Sequence, residues 1–194
     1  MNPKYHYNFL CMLKRIVREI KSCLERCKPK VQQARNAGVK LGVNNLFYSR
    51  FWCASEPYLI SIGDNCQITV GVKIFTHGGC HVARKTIPDF DCFGKVVIGN
   101  NVYIGNNALI MPGVTIGDNV LIAAGSVVCH SVPDNVVVGG NPAKILSTLD
   151  KFIEKNALYN IHCKSLSISK KRKLLLSLPD DKFIRKRYLS DISK

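Results

Sequence analysis

The chain has 194 residues, of which 46% are hydrophobic, and a formal net charge of +15 at pH 7. This length suits one core domain with appendages. Residues 1–40 hold ten Lys and Arg against two acids, residues 41–146 six against six, and residues 147–194 twelve against five. A nucleic-acid-binding domain needs a basic face interleaved with aromatic residues on its folded body. The neutral middle therefore argues against nucleic-acid binding as the main function.

The nine cysteines form neither a disulfide framework nor a CxxC pair, so no zinc ribbon is indicated. We expect reduced thiols in a cytoplasmic protein, with Cys66 inside the core and Cys129 as a second candidate for burial. The longest early apolar run, residues 9–13, is too short for a signal peptide. No apolar stretch approaches the ~20 residues of a membrane span.

The N-terminal arm, residues 1–40, contains apolar residues at helical spacing between residues 8 and 27, namely Leu10, Leu13, Val17, Ile20 and Leu24. Pro29 is expected to end this helix soon after. We favour a helix that caps the open end of the core, because such ends expose unpaired strand edges. The alternative is a basic interfacial helix at the inner face of the membrane, drawn to anionic lipid.

The organising stretch is residues 98–133, which divide into six hexads: IGNNVY, IGNNAL, IMPGVT, IGDNVL, IAAGSV and VCHSVP. Each hexad begins with a branched aliphatic residue: Ile98, Ile104, Ile110, Ile116, Ile122 and Val128. The fifth positions are small or β-branched: Val102, Ala108, Val114, Val120, Ser126 and Val132. A period of six fits neither an α-helix nor plain strand alternation. It predicts a parallel β-helix, in which the chain turns a corner after each short strand.

Three hexads close one triangular coil, so residues 18 apart should stack. This predicts Ile98 on Ile116, Ile104 on Ile122 and Ile110 on Val128, with coils about 4.8 Å apart. The Gly-Asn-Asn and Gly-Asp-Asn triplets suit the corners, because glycine and asparagine tolerate left-handed backbone angles.

Upstream, residues 39–60 are interpreted as irregular opening strands, and hexads become legible at Ile62, Ile68 and Ile74. Residues 78–94 lack the repeat and form a long loop, which within a regular scaffold is usually functional. Ile74 and Ile98 are separated by a multiple of six, so the loop is expected to leave a corner and return in phase. The core domain is therefore assigned to residues 41–146.

The C-terminal extension, residues 147–194, is expected to be basic and helical, with helices over residues 149–161 and around residues 170–178. The run KKRK at residues 170–173 is interpreted as the polar face of a packing helix. Attraction of nucleotide phosphates or an anionic glycan is its alternative.

Three segments together resemble the hexapeptide-repeat acyltransferases: ITVGVKIFTHGG, the hexads of residues 96–128, and VPDNVVVGGNPAKIL. The similarity, over residues 55–146, is greatest to polysaccharide and capsule O-acetyltransferases and to galactoside and maltose acetyltransferases. It implies a mainly β fold, a left-handed parallel β-helix with an extruded loop and helical extensions. It also implies a homotrimer with active sites between subunits and acetyl-CoA as acyl donor, without a metal. The left hand depends on the resemblance alone, since parallel crossovers are normally right-handed.

His77 matches the catalytic histidine of this family and lies where the last regular strand meets the loop. Histidine suits a general base because its unperturbed pKa near 6.5 leaves it largely neutral at pH 7. No acidic residue directly follows His77, so the sequence identifies no partner carboxylate. Cys80 raises an acyl-cysteine route, which we disfavour because no positioned partner is visible.

On the donor side, the motif match assigns Tyr103 and Asn106 to the acceptor end and the pantetheine slot. Ala124 matches a position whose backbone amide meets pantetheine. Lys144 matches a basic position near the nucleotide phosphates, and His130 occupies a position where many relatives have lysine. Candidates for acceptor contact are His81, Asp89 and Asp91 in the loop.

The predicted function is direct acetyl transfer to a hydroxyl of a sugar or polysaccharide precursor. Acyl transfer to serine, to an amino-sugar nitrogen or to an antibiotic hydroxyl is the nearest alternative. A γ-carbonic-anhydrase-like enzyme would need three histidines around one metal, and residues 102–121 supply none. A non-catalytic β-helix is the third possibility, since fold alone does not give function.

Overall fold

The computed structural model describes residues 15–17, 20, 28–49, 52–53, 55–186 and 188. Residues 15–17 and 20 are helical, and the rest of the helix predicted over residues 8–27 lies outside the described residues. The chain divides into two compact units, Met1–Leu149 and Asp150–Lys194. Each unit is described by itself.

The first unit is a stack of very short strands, most of them two residues long. Along the chain they are β1 Lys40–Leu41, β2 Leu46–Phe47, β3 Trp52–Cys53, β4 Ile60–Ile62, β5 Gln67–Ile68, β6 Lys73–Ile74, β7 Val96–Ile98, β8 Tyr103–Ile104, β9 Leu109–Ile110, β10 Thr115–Ile116, β11 Leu121–Ile122, β12 Val127–Val128, β13 Val136–Gly140 and β14 Ala143–Thr148. They form three sheets in the orders β1-β4-β7-β10, β14-β13-β11-β8-β5-β2 and β12-β9-β6-β3. From β1 to β13, successive strands join different sheets, as expected of a chain that turns a corner after each strand.

The register confirms the stacking predicted from the six-residue period. Ile98 pairs with Ile116, Ile104 with Ile122 and Ile110 with Val128, all in parallel. The first and fifth hexad positions are all buried, as shown by Ile98, Val102, Ile104, Ala108, Ile110, Val114, Ile116, Val120, Ile122, Ser126, Val128 and Val132. Each fully buried isoleucine stabilises the stack by about 1.5–3 kcal/mol relative to exposure. Cys66 is also buried there, as predicted.

Within the Gly-Asn-Asn and Gly-Asp-Asn triplets, glycine and asparagine have separate roles, which corrects the prediction that both supply left-handed backbone there. The left-handed residue is the asparagine that ends each triplet, with φ between 54° and 58° at Asn65, Asn101, Asn107 and Asn119. Glycine takes this conformation at corners without a triplet, as at Gly71, Gly113 and Gly125. The triplet glycines instead allow neighbouring coils to approach closely. A Cβ on Gly105 would lie 2.5 Å from the backbone nitrogen of Ala124, a distance that real Cβ atoms do not tolerate.

The opening coil is regular, which corrects its interpretation as irregular. Leu41 pairs with Ile62, Phe47 with Ile68, and Cys53 in β3 with Ile74 in β6, so the offset is 21 residues at each strand. The three residues beyond an 18-residue coil coincide with a 3₁₀ turn, Pro57–Leu59. The sequence already contained this information, because Leu41, Phe47 and Cys53 are spaced six residues apart.

The long loop leaves the stack without changing its phase, as predicted. Ile62 pairs with Ile98, Ile68 with Ile104, and Ile74 with Ile110, so the offset is 36 residues at each strand. This offset is twice the coil length, which means that the insertion adds the length of one coil. The strands after the loop therefore resume their places in the same three sheets.

Two elements at the ends of the stack were not predicted. Helix α1, Lys30–Ala37, begins directly after Pro29 and buries Ala34 in the core. At the other end, β14 pairs with β13 in antiparallel fashion. Cys129, suggested as a second buried thiol, is exposed instead. It directly follows the inward-facing Val128, where the chain turns away from the axis.

The second unit contains helix α2, Leu149–Ala157, which begins at its boundary with the first, and helix α3, Ile168–Ser177. The Ser167 side chain caps α3 by accepting a hydrogen bond from the Lys170 amide. Neither helix has a buried residue. Within the described part of the chain, no helix has both the length and the apolar character needed to cross a membrane.

Candidate active site

His77 lies at the corner where the chain leaves β6 and enters the loop. Its Nδ1 atom is 2.7 Å from Oε2 of Glu56, and the same carboxylate oxygen accepts a 2.8 Å hydrogen bond from the Thr76 hydroxyl. Thr76 is fully buried, and the Glu56 side chain is only 14% exposed, whereas the His77 side chain is 35% exposed. The histidine therefore faces solvent while the carboxylate that holds it is sheltered.

Glu56 is ionised at neutral pH in this environment. Desolvation raises its pKa, but hydrogen bonds from Thr76 and His77 and the charge attraction of His77 outweigh it, so the pKa lies below its usual value. An ionised carboxylate only accepts hydrogen bonds. Nδ1 of His77 must therefore carry a proton, which in the neutral ring leaves the lone pair on Nε2.

Phe93 holds the other side of the imidazole. The two rings lie 5.4 Å apart between centroids at 54°, and His77 and Phe93 form an antiparallel bridge. The amide of Gly94 donates a 2.7 Å hydrogen bond to the carbonyl of Thr76. These contacts close the stem of the loop, so His77 is fixed from the loop side as well as from Glu56.

The three loop residues proposed for acceptor contact lie on the surface of the loop. His81, Asp89 and Asp91 are all exposed. Asp91 pairs with Arg84 at 3.8 Å, and Arg84 also donates to the carbonyl of Phe90. Asp91 therefore contacts another residue of the loop. No described contact joins His81 or Asp89 to His77.

Cys80 is a buried residue of the loop. Desolvation raises the pKa of its thiol, and hydrogen bonds to the side chains of Cys92 and Asp91 act in the same direction. Little thiolate is present at neutral pH, and the thiolate is the nucleophilic form. The acyl-cysteine route is thereby disfavoured on physical grounds.

Ala124 and Asn106 lie at another corner of the stack, on neighbouring coils. Asn106 is committed to that corner: its side chain accepts from the Val70 amide and its carbonyl from the Gly125 amide. Ala124 is exposed, and its own N–H donates to no group in the described part of the chain. The nitrogen of Ala124 lies where this coil approaches Gly105 of the neighbouring coil closely.

Tyr103, in β8, points outward and is 39% exposed between Gln67 and Leu121 of the neighbouring strands. It lies on a different sheet from the strand that leads to His77. No hydrogen bond or ring contact joins Tyr103 to the histidine within the described residues.

His130 and Lys144 line one cleft of about 200 Å³ between the β12 corner and β14. The resemblance assigned Lys144 to a position near the nucleotide phosphates and His130 to a position where many relatives have lysine, and the structure places both in this cleft. The cleft opens two coils along from His77, since Ile74, Ile110 and Val128 stack in that order. A lysine in this cleft supplies a positive charge for an anionic group.

Glu56 is the residue that sequence reasoning missed. The alignment of Cys53 with Ile74 puts Glu56 directly beneath His77, because each lies three residues beyond its strand position. This signal becomes readable only once the opening coil is recognised as regular. Elsewhere in the described residues, no group of three or more His, Cys, Asp or Glu side chains is placed to hold a metal ion.

These features define the class of protein as a parallel β-solenoid of six-residue repeats whose inserted loop lies beside a histidine–carboxylate pair. Comparison with known proteins agrees. Residues 95–130 match the family "Bacterial transferase hexapeptide (six repeats)". Over 157 residues the chain is 43% identical to protein CapG of Staphylococcus aureus, covering 79% of this chain and 89% of the relative. The chain belongs to the hexapeptide-repeat acetyltransferases.

Two further comparisons concern sugars and the acyl donor. Galactoside O-acetyltransferase of Escherichia coli (strain K12) is 36% identical over 126 residues, which are 63% of this chain and 60% of that relative. A hexapeptide-repeat acetyltransferase of Vibrio cholerae, solved in complex with acetyl coenzyme A, matches with a TM-score of 0.52 at 30% identity. That match covers 58% of this chain and 61% of the solved one.

Proposed function

We propose that this protein transfers an acetyl group from acetyl-CoA to a hydroxyl of a sugar or polysaccharide precursor, with His77 as general base. The observation that carries the proposal is the pairing of His77 with Glu56 at 2.7 Å. It leaves Nε2 as the proton acceptor of a side chain that is 35% exposed at a corner of the stack. Similarity to galactoside O-acetyltransferase supports a sugar hydroxyl as acceptor.

In the proposed reaction, Nε2 of His77 takes the proton of the acceptor hydroxyl as its oxygen attacks the thioester carbon. The ring then carries a positive charge next to the Glu56 carboxylate, which stabilises it by attraction over a short distance. Glu56 also holds the ring in the tautomer that the reaction needs. It acts through His77 and is therefore a positioning residue.

The proposed donor site uses backbone more than side chains. The amide of Ala124 would donate to pantetheine, and Lys144 would face the nucleotide phosphates from the cleft that it shares with His130. Support comes from the related acetyltransferase that was solved with acetyl coenzyme A. An oxyanion donor near the thioester would stabilise the charge that develops on its carbonyl oxygen.

The proposal includes a left-handed coil and a homotrimer with active sites between subunits, as the resemblance implies. Outward-facing apolar side chains on one sheet of the stack support a partner surface, since Leu46 in β2 and Tyr103 in β8 are both at least 39% exposed. Tyr103 lies on a different sheet from the strand that leads to His77, and a neighbouring protomer would supply the missing side of the site. The mass of the assembly by light scattering tests this, and a monomer that is active would contradict it.

The experiment for the reaction measures thiol release from acetyl-CoA in the presence of a panel of sugars, serine, an amino sugar and an antibiotic alcohol. His77→Ala should lower kcat/KM by about 10²–10⁴, the usual contribution of a general base. His81→Ala is the matched comparison, because this histidine is exposed in the same loop without a described contact to His77. It should keep kcat within about threefold, and a rise in KM for the acceptor would assign His81 to acceptor contact. Full activity of His77→Ala, or a preference for a non-sugar acceptor, would overturn the corresponding part of the proposal.

A further inference from the structure

Two cysteines of the loop lie against each other outside the proposed catalytic groups. The backbone N–H of Cys92 donates a 3.1 Å hydrogen bond to Sγ of Cys80. Since Cα lies about 1.5 Å from the amide nitrogen, that sulfur is within about 4.6 Å of the Cα atom of Cys92. This separation is compatible with a disulfide after rotation of the Cys92 side chain.

The two thiols differ in exposure. Cys80 is 7% exposed, whereas Cys92 is open to solvent. A reagent from solution therefore reaches Cys92 first, and the resulting sulfur derivative lies beside Cys80.

We propose that Cys80 and Cys92 form a disulfide-forming modification site that reacts with low-molecular-weight disulfides such as oxidised glutathione. The Cys92 sulfur displaces one glutathione as a thiol and forms a mixed disulfide. The Cys80 sulfur then attacks the Cys92 sulfur, which releases the second glutathione. Two protein thiols are oxidised, one oxidised glutathione is reduced to two glutathione thiols, and these carry away the two protons.

The bond would tie together the two arms of the loop beside the stem that positions the imidazole. Cys80 follows His77 by three residues, and Cys92 directly precedes Phe93, whose ring contacts His77. The inference depends on loop geometry alone and not on the proposed acetyl transfer. Its failure would leave that proposal untouched.

The test incubates the full chain with oxidised glutathione and digests it with trypsin without reduction. Cleavage after Lys73, Arg84, Lys85 and Lys95 separates the cysteines into peptides 74–84 and 86–95. Mass spectrometry should find these two peptides linked, and dithiothreitol should release both. Because attack within the loop has an effective concentration of roughly millimolar, the linked form should exceed the mixed disulfide at micromolar glutathione.

Substitutions and a rate measurement distinguish the alternatives. Cys80→Ser should leave a persistent glutathione adduct on Cys92, whereas Cys129→Ser, which removes another exposed thiol, should not change the linkage. In the unsubstituted chain, iodoacetamide should alkylate Cys92 at least about tenfold faster than Cys80. A persistent adduct on Cys92 in the unsubstituted chain, linkage of Cys92 to another cysteine, or faster alkylation of Cys80 would each overturn the inference.

Discussion

The regular coils and the interrupted corner are built from the same backbone plan but by different kinds of interaction. In the coils, each inward residue packs on its equivalent 18 residues along, as Ile98 does on Ile116. At the interrupted corner, Glu56, His77 and Phe93 come together from a neighbouring coil and from the two arms of the loop. The repeat supplies stability, and the interruption supplies chemistry.

The difference shows how this fold accommodates a reactive group. An inserted segment of one coil's length leaves the strands on both sides in register, so the core does not change. The corner, where the chain already turns outward, then presents a histidine to solvent while the carboxylate stays sheltered. Changes in the coils should therefore affect folding, and changes at the corner should affect catalysis.

The largest effect on stability is expected for a buried position in the coils. Ile98→Ala should lower the free energy of unfolding by about 2–5 kcal/mol, because it removes packed side-chain volume and leaves a cavity. Val97→Ala, on the next residue and facing out, should change it by less than about 0.5 kcal/mol. Ile87→Ala, at an exposed position in the loop, should also change the free energy of unfolding by less than about 0.5 kcal/mol. Chemical denaturation measures all three, and equal effects at Ile98 and Ile87 would contradict the distinction between coil and loop.

The next effect concerns the corner. Glu56→Gln should lower kcat by about 10- to 100-fold with little change in KM, because the amide no longer fixes the tautomer of His77 or stabilises its charged form. The variant should stay folded, and Glu56→Asp should recover part of the activity. A change confined to KM would mean that Glu56 contacts the acceptor instead of positioning His77.

The pair of Glu56 and His77 also makes the stability of the fold depend on pH. Because the folded-state pKa of Glu56 is lowered, the stability gained from Thr76 and His77 is fully present above the ordinary value of 4.5. It is lost as the pH falls through the lowered folded-state pKa. The stability difference between the wild type and Glu56→Gln should therefore shrink as the pH falls below the ordinary carboxyl value of 4.5. A difference that grows as the pH falls below that value would contradict this assignment.

The smallest effect tests the corners of the regular coils. Asn119 has φ of 56° and joins an amide ladder between Asn101 and Asn135. Both Asn119→Ala and Asn119→Gly lose the ladder, but only alanine adds the strain of a left-handed backbone. The free energy of unfolding of Asn119→Ala should therefore be roughly 1 kcal/mol lower than that of Asn119→Gly, as measured by thermal or chemical unfolding. Equal stability would show that the side-chain ladder, and not the backbone angle, selects asparagine here.

The coils were predictable from sequence because burial is dictated locally by the six-residue pattern. Ile98, Ile104 and Ile110 could be placed on their partners by counting alone. The roles within the triplets could not be separated, because left-handed backbone and close coil approach both favour small or flexible residues. Gly105 shows this, since its close neighbour Ala124 belongs to another coil.

At the candidate site, His77 could be located from sequence because a repeat ends there and a family motif coincides with it. Glu56 could not, since its pairing crosses coils with an offset of 21 residues that no other coil shares. Lys144 and His130 were assigned separately, and only folding shows that they share a cleft.

A double-mutant cycle on kcat/KM for acetyl transfer tests the central claim most directly. If Glu56 acts only through His77, then Glu56→Gln should cost nothing further in a His77→Ala background, so His77→Ala and the double variant should have equal activity within about twofold. Losses that add in the double variant would show that the two residues act independently. That result would contradict a histidine positioned by its carboxylate.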